Sequence, residues 1–255
     1  MQRWLLAASL LCATPVWAGE LESLKAQVAV DDDAKADAAA KQLAESKDPK
    51  AIDVVLDTLA VGASPHVQAT LLGALAGRKD PRALKVLEHY AKNRNPELRK
   101  KALQVLAELP GPTAVPTLIA GLSDSAPEVR AQAAAELGRR KERSAEPQLI
   151  KLLERKDESA TRALAMLATP DLAHRIGEML GQIPDALFCA TLGEMLKRAD
   201  FGPDPIRVEV VKTLGKVPGM DSTSALVEYV AATEKDKARP SRVEAQKIVD
   251  QRSSQ

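Results

Sequence analysis

The chain has 255 residues, of which 45% are hydrophobic but only 2% aromatic, and its formal net charge is +1. So few aromatic side chains argue against a compact globular core, and the abundant Ala and Leu favour helices over strands. The balanced charge argues against a nucleic-acid binder that relies on phosphate contacts. Composition therefore predicts an all-α protein with thin packing layers.

Residues 1–18 have the features of a secretory leader. One basic residue, Arg3, precedes an apolar run over 4–13, and small residues occupy the two positions that signal peptidase reads before residue 19. The run is too short for a transmembrane span. We therefore expect cleavage after Ala18, no membrane span in the processed chain, and a periplasmic or secreted location. An uncleaved anchor is the alternative.

Cysteine and histidine usage gives no sign of a reactive centre. Beyond the leader, Cys189 is the one cysteine, so no intramolecular disulfide can form, and a lone thiol in an apolar segment is typical of a buried core residue. The three histidines, His66, His89 and His174, lack the spacing of metal ligands. The chain also lacks a Gly-rich phosphate loop and a nucleophile elbow. We expect no cofactor, no metal and no catalytic site.

The middle of the chain repeats itself with a period of about 31 residues. Similar segments begin at Pro65, Pro96 and Pro127, and a second set of proline-led segments lies between them. Proline suits the first turn of a helix, where its missing N–H has no intrahelical partner. Each unit would form two short antiparallel helices, A and B, which bury their apolar faces against neighbouring units. This periodicity predicts an α-solenoid of antiparallel helix pairs.

The best-preserved copy runs from Asp124 to Gly138 and reads Asp-x-x-x-x-Val-Arg-x-x-Ala-x-x-x-Leu-Gly. This pattern resembles the short bacterial HEAT repeat, of the kind also found in phycobilisome-lyase-like proteins, and it implies a HEAT-like or armadillo-like superhelix. The resemblance further implies an Asp–Arg ladder between repeats, with helices B lining a concave face. The expected ladder residues are Asp124, Arg99, Arg130 and Arg207.

The predicted organisation has five parts. Residues 1–18 form the leader, 19–46 the N-terminal capping helices, 47–156 the regular HEAT-like repeats, 157–203 an irregular helical repeat, and 204–255 a C-terminal repeat with a capping helix. The fourth part loses the register of the repeats. Pro170 and Pro184 divide it into three helices instead of two pairs.

This architecture predicts a non-enzymatic protein–protein interaction scaffold. Repeat arrays present extended surfaces to a protein or peptide, and here the helix-B face would be that surface. Because the ladder arginines are structural, the candidate contact residues are the exposed positions beside them. They are Lys101, Gln104, Glu108, Gln132, Arg139 and Lys212.

Two alternatives stay open. An enzyme or an enzyme accessory factor, lyase-like or chaperone-like, would use a pocket in the irregular 157–203 segment. Bilin lyase activity itself fits poorly with an exported chain, because those enzymes handle a cytoplasmic chromophore. A structural part of a larger envelope machine is the other alternative. A deep polar pocket around His174 would favour an enzyme, whereas a smooth charged groove would favour a scaffold.

Overall fold

A computed structural model of the chain describes residues 16–30 and 32–254, and the side chains of 19–30 and 32–254. Helices, turns and loops make up this part, with no strand in it, which confirms the predicted all-α class. None of the helices in the described ranges is long and apolar enough to cross a bilayer. Residues 1–15 of the predicted leader lie outside the described residues, and the first helix begins at Val16.

Fifteen α-helices follow one another over the described residues. They are α1 Val16–Val28, α2 Asp33–Glu45, α3 Ala51–Val61, α4 Pro65–Leu75, α5 Leu84–Tyr90, α6 Pro96–Leu106, α7 Val115–Gly121, α8 Pro127–Arg139, α9 Glu146–Glu154, α10 Ser159–Met166, α11 Pro170–Gly177, α12 Asp185–Lys197, α13 Asp204–Gly215, α14 Met220–Ala232 and α15 Pro240–Ser253. Short 3₁₀ turns at Pro81–Ala83 and Arg143–Ala145 lead into α5 and α9.

Prolines mark the helix starts that the sequence predicts. Pro65, Pro96 and Pro127 occupy the first positions of α4, α6 and α8. In α8 the apolar stripe of the pattern, including Val129 and Leu137, is fully buried. These helices have at most 13 residues and cannot persist alone in water, so burial against their neighbours stabilises them.

The chain divides into two compact units, Met1–Leu87 and Glu88–Gln255. In the first unit, α1 packs on α2 and α3, and α2 packs on α4. Asp32 begins α2 by accepting a hydrogen bond from the backbone N–H of Lys35 at 3.2 Å. Small residues such as Ala40 are fully buried between these helices, which is how a chain with few aromatic side chains forms its core.

The second unit has two layers of helices. Layer B consists of α6, α8, α10, α12 and α14, which pack against one another in succession. Layer A consists of the alternating helices: α7 and α9 pair with α8 and α10, whereas α11, α13 and α15 pack in succession. Gly138 of α8 allows a close approach to α10, because a Cβ placed there would lie 3.0 Å from the Cα of Ala163.

The segment 157–203 keeps this alternation. Its three helices are α10 in layer B, α11 in layer A and α12 in layer B, and Thr169 caps α11 by accepting from the N–H of Leu172 at 3.1 Å. The next helix, α13, therefore lies in layer A. The sequence had led us to assign Arg207 to the ladder and Lys212 to the helix-B face, which makes α13 a helix B. That prediction is wrong, because layer membership follows the number of preceding helices and not the local pattern.

Candidate protein-binding face

Arg99 and Arg130 join successive repeats. Arg99 Nε and Nη2 donate to Asp124 Oδ2 and Oδ1 at 2.7 and 2.6 Å. Its Nη1 donates to the carbonyl of Asn93, in the loop of its own repeat, at 2.8 Å. One repeat later, Arg130 Nε donates to Asp157 Oδ2 at 2.5 Å and its Nη1 to the carbonyl of Asp124 at 2.9 Å. Both guanidinium groups are therefore occupied within the fold.

The aspartates of this ladder are held ionised. Burial opposes ionisation of Asp124, but the hydrogen bonds from Arg99 and from the Ala126 N–H outweigh burial and leave its pKa below the ordinary value. Burial likewise opposes ionisation of Asp157, and bonds from Ser159 and the Arg130 side chain lower its pKa overall. The charged pairs are thus complete near neutral pH.

Asp157 is a ladder residue that the sequence pattern did not identify. It lies 27 residues after its arginine, whereas Asp124 lies 25 residues after Arg99, so a strict period hides it. Asn93 and Asp124 are each followed by an arginine six residues later in the chain. Asp157 is followed at the same distance by Ala163, so the ladder ends at Asp157. In the repeat that precedes Arg99, Gln68 donates to its own loop, to the carbonyl of Ala63 at 2.7 Å.

Arg207 does not belong to this ladder. It lies on α13 in layer A and is only 2% exposed. Its Nη1 donates to the carbonyl of Leu196 at 2.7 Å, and its Nη2 donates to the carbonyls of Arg198 and Ala199 at 2.6 and 3.2 Å. The guanidinium also lies over the ring of Phe201, 5.5 Å from its centroid. Arg207 thus binds the C-terminal end of α12 instead of an aspartate.

A second group of arginines, which the repeat pattern does not mark, binds the ends of earlier helices. Each lies at or just after the end of a helix and donates to backbone carbonyls 29 to 37 residues earlier in the chain. They are Arg78 on Leu43, Ala44 and Ser46; Arg140 on Ala107, Leu109 and Gly111; Arg198 on Met166; and Arg252 on Gly215 and Val217. These carbonyls lack intrahelical partners and lie at the negative end of the helix dipole. A guanidinium group donates hydrogen bonds to them and also places a positive charge at that end.

Two members of this group did carry a sequence signal. Arg78-Lys79 and Arg140-Lys141 are the same dipeptide two periods apart. Both lysines have left-handed backbones, with φ of 52° and 56°, which turn the chain sharply after the helix. The basic cluster at residues 139–141 is therefore mainly part of a corner between helices.

The predicted contact residues of α6 and α8 lie on layer B. On α6, Lys101 Nζ donates to Gln104 Oε1 at 3.4 Å, and Glu108 lies just after the helix. On α8, Gln132 and Arg139 both bind the nearly buried carboxylate of Glu136. The Gln132 Nε2 and Arg139 Nε each donate to Glu136 at 2.8 Å.

Lys212 does not share this face. It is exposed on α13, which lies in layer A, whereas the other predicted contact residues lie on or beside the layer B helices α6 and α8. The prediction that it lines the helix-B face is wrong for the same reason as for Arg207. The layer of α13 cannot be read from its own residues.

The layer A side of the irregular segment carries a shallow groove between α11 and α13. It provides about 670 Å³ of space open to solvent and has a floor that includes Ala173 and Val210. His174 at its edge is exposed, and its Nε2 lies 3.6 Å from Glu178 Oε1 in the same helix. The two side chains lie one helical turn apart on an exposed helix surface, and the described residues form no deep polar pocket at His174.

The other titratable candidates have local contacts. His66 Nε2 lies 3.0 Å from Asp37 Oδ1, and His89 packs edge-on against Tyr90. Across the described part of the chain, no group of three His, Cys, Asp or Glu side chains could hold a metal ion. Cys189 is buried, and burial raises the pKa of its thiol to about 11.

Comparison with known proteins gives a family match and several structural neighbours. A family model of HEAT repeats matches residues 21–102 and 90–169. No curated protein matches the sequence. Among solved structures, the Escherichia coli protein YibA is 17% identical with a TM-score of 0.55, over 91% of this chain and 82% of that chain.

Two further neighbours are assemblies. Kap121p bound to Ste12p is 14% identical with a TM-score of 0.52, over 91% of this chain and 29% of that chain, so the present chain spans less than a third of Kap121p. The complex of CpcE and CpcF of phycocyanin lyase from Nostoc sp. PCC7120 is 18% identical with a TM-score of 0.49, over 91% and 94% of the two chains. At such identities the likeness concerns the fold alone.

Proposed function

Because this chain belongs to the HEAT-repeat family, we propose that it is a non-enzymatic scaffold that binds a protein or an extended peptide on layer B. Repeat arrays present extended surfaces of this kind. Kap121p, whose fold is similar, forms a complex with the protein Ste12p. In this proposal the partner binds an extended surface that several neighbouring repeats form together, and no single reactive residue is required.

One observation carries this proposal: on layer B, the residues that join the repeats are different from the residues that are exposed to a partner. Arg99 and Arg130 are occupied by the ladder, whereas Gln104 and Arg139 beside them are exposed to solvent. The side chain of Arg139 is 54% exposed even though it binds Glu136. Cationic and amide groups at this spacing can bind the carbonyl and carboxylate oxygens of a partner segment.

Site-specific crosslinking in cells tests the scaffold function. A photo-crosslinking amino acid at Gln104, on layer B, should give a defined adduct with a partner protein, which mass spectrometry identifies. The same amino acid at Lys212, exposed on layer A, is the control and should not give that adduct. The double variant Lys101→Glu with Arg139→Glu should reduce the adduct. If no layer B position yields a specific adduct, the scaffold proposal fails.

We further propose that the protein works outside the cytoplasm, in the periplasm or beyond it. The leader features of residues 1–18 support this location. Among the side chains of α1 that the structure describes, Leu21, Leu24 and Val28 are buried, and all three lie beyond residue 18, so cleavage after Ala18 would keep them in the chain. Cell fractionation with mass measurement tests the proposal: we expect a processed chain that begins at Gly19. An unprocessed chain in the cytoplasm would contradict it.

A further inference from the structure

Two shallow grooves meet on the exposed side of α12, in layer B. The groove between α10 and α12 provides about 1010 Å³ of open space, and the groove between α12 and α14 about 540 Å³. Ala186, Ala190 and Glu194 line both grooves. The ridge between them therefore consists largely of alanine side chains, and a chain can pass over it from α10 to α14. We call this continuous surface the α12 groove.

The floor of the α12 groove is apolar. Leu187 and Cys189 lie along it from α12, and Ala225 contributes from α14. Gly193 lets α14 approach closely, because a Cβ at that residue would lie 3.0 Å from the Cβ of Ala225. A partner that lies in this groove would bury apolar surface on a floor without long side chains.

Carboxylates outnumber cations on the rim of the α12 groove. The acidic residues are Glu158, Glu194, Asp221 and Glu228, and the basic ones are Arg162 and Lys197. Lys197 is already shared by two of these acids, with its Nζ 2.5 Å from Glu194 Oε1 and 2.9 Å from Glu228 Oε2. Within the described residues, neither Glu158 nor Asp221 forms a salt bridge.

The acidic character reaches below the surface. Burial is the main cause that raises the pKa of the Cys189 thiol to about 11, and the charges of Asp185 and Asp221 raise it further. Asp221 on the rim and Asp185 at the start of α12 therefore both act on the floor of the groove, where the charge of Arg252 opposes them in part. The α12 groove combines an apolar floor with a negative rim, and this combination selects the chemistry of an occupant.

We propose that the α12 groove binds an extended peptide segment with basic side chains. The proposal rests on the scaffold function and adds to the α6 and α8 positions a second binding place on layer B, with a stated partner class. Helices pack about 8–10 Å apart, so α10 and α14 are separated by about 20 Å, which an extended chain spans with about six residues. Small or apolar side chains of the segment pack over Ala186 and Ala190, while its lysines or arginines face Asp221 and Glu228.

Fluorescence anisotropy with the purified protein tests this inference. The probe is a labelled, end-blocked peptide of about ten residues that alternates Lys and Ala, and its counterpart carries Glu in place of Lys. We expect binding of the Lys peptide only, with affinity that falls as salt rises. The variant Asp221→Asn with Glu228→Gln should weaken binding about tenfold, and Ala190→Arg should abolish it.

A matched substitution on the neighbouring part of layer B is the control. Ala131 of α8 is exposed like Ala190, so Ala131→Arg adds the same bulk and charge outside the α12 groove and should leave affinity unchanged. Equal binding of the Glu peptide, no binding of the Lys peptide, or equal losses from the two Arg variants would overturn the inference. Crosslinking at Gln104 of α6 in cells tests the scaffold function separately. A failure of the scaffold proposal can therefore be distinguished from a failure of the α12 groove proposal.

Discussion

Two stretches of the second unit share one stacking contact and differ in another. Arg140 in the first and Arg198 and Arg252 in the second bind backbone carbonyls of earlier helices, whereas the arginine–aspartate ladder of the described residues lies in the first. Between Asn93 and Asp157, arginines of layer B helices bind an aspartate in the next loop. From α11 onward, Arg198, Arg207 and Arg252 bind backbone carbonyls at the ends of earlier helices. Every helix has such carbonyls, whereas an aspartate must lie at one place in a loop. Stacking can therefore continue after the recognisable sequence pattern has ended.

Arg207 gives the largest expected effect in this comparison. Arg207→Met keeps much of the side-chain volume but leaves three carbonyls without their donor, at about 1–3 kcal/mol for each buried group that stays unpaired. We expect the free energy of unfolding to fall by about 3–5 kcal/mol. Urea denaturation followed by circular dichroism measures the loss.

The control for this variant is Arg175→Met, also in layer A. Arg175 is half exposed and pairs with Glu146, so its removal should cost less than about 1 kcal/mol. Similar losses in the two variants would show that carbonyl binding by Arg207 contributes little to the later stretch.

Arg130 tests the aspartate ladder of the regular stretch. Its replacement by Ala removes the bond to Asp157 and the bond to the carbonyl of Asp124, both largely buried. We expect a loss of about 2–3 kcal/mol and a lower melting temperature by calorimetry. Arg139→Ala, on the same helix with a side chain 54% exposed, should change stability by less than about 1 kcal/mol. An unchanged melting temperature in Arg130→Ala would rule out a stabilising ladder.

The pH dependence of stability separates the two kinds of contact. The Asp124 carboxyl has a folded pKa below its ordinary value of 3.8, so its ionised form contributes stability that is complete above about pH 4. This contribution fades as the pH falls through the lowered folded pKa. The difference in melting temperature between the protein and Asp124→Asn should therefore be largest near pH 7 and should narrow in acid. A difference that widens in acid would contradict the charged pair.

Local pattern was enough to predict the helix pairs and much of the ladder. Pro96 and Pro127 mark helix starts, and Arg130 lies at a fixed distance from the start of its helix, so short-range chemistry determines both. Arg207 was assigned to the wrong contact because its layer depends on how many helices precede it. The role of Arg140 was missed even though its Arg-Lys dipeptide recurs, because its partners are carbonyls, which every residue has and which no sequence pattern distinguishes.

A thiol reagent tests how tightly the later stretch is packed, with no expected change in stability. Cys189 lies on the buried side of α12, and burial raises its pKa to about 11, which lowers the thiolate fraction about 100-fold relative to a thiol at the ordinary value of 9.0. Labelling at pH 8 should therefore be at least about 100-fold slower than at Ala190→Cys in a Cys189→Ala background. Ala190 is the adjacent, exposed residue of the same helix. Comparable labelling rates would mean that α12 opens readily and that the carbonyl-bound arginines do not hold it firmly.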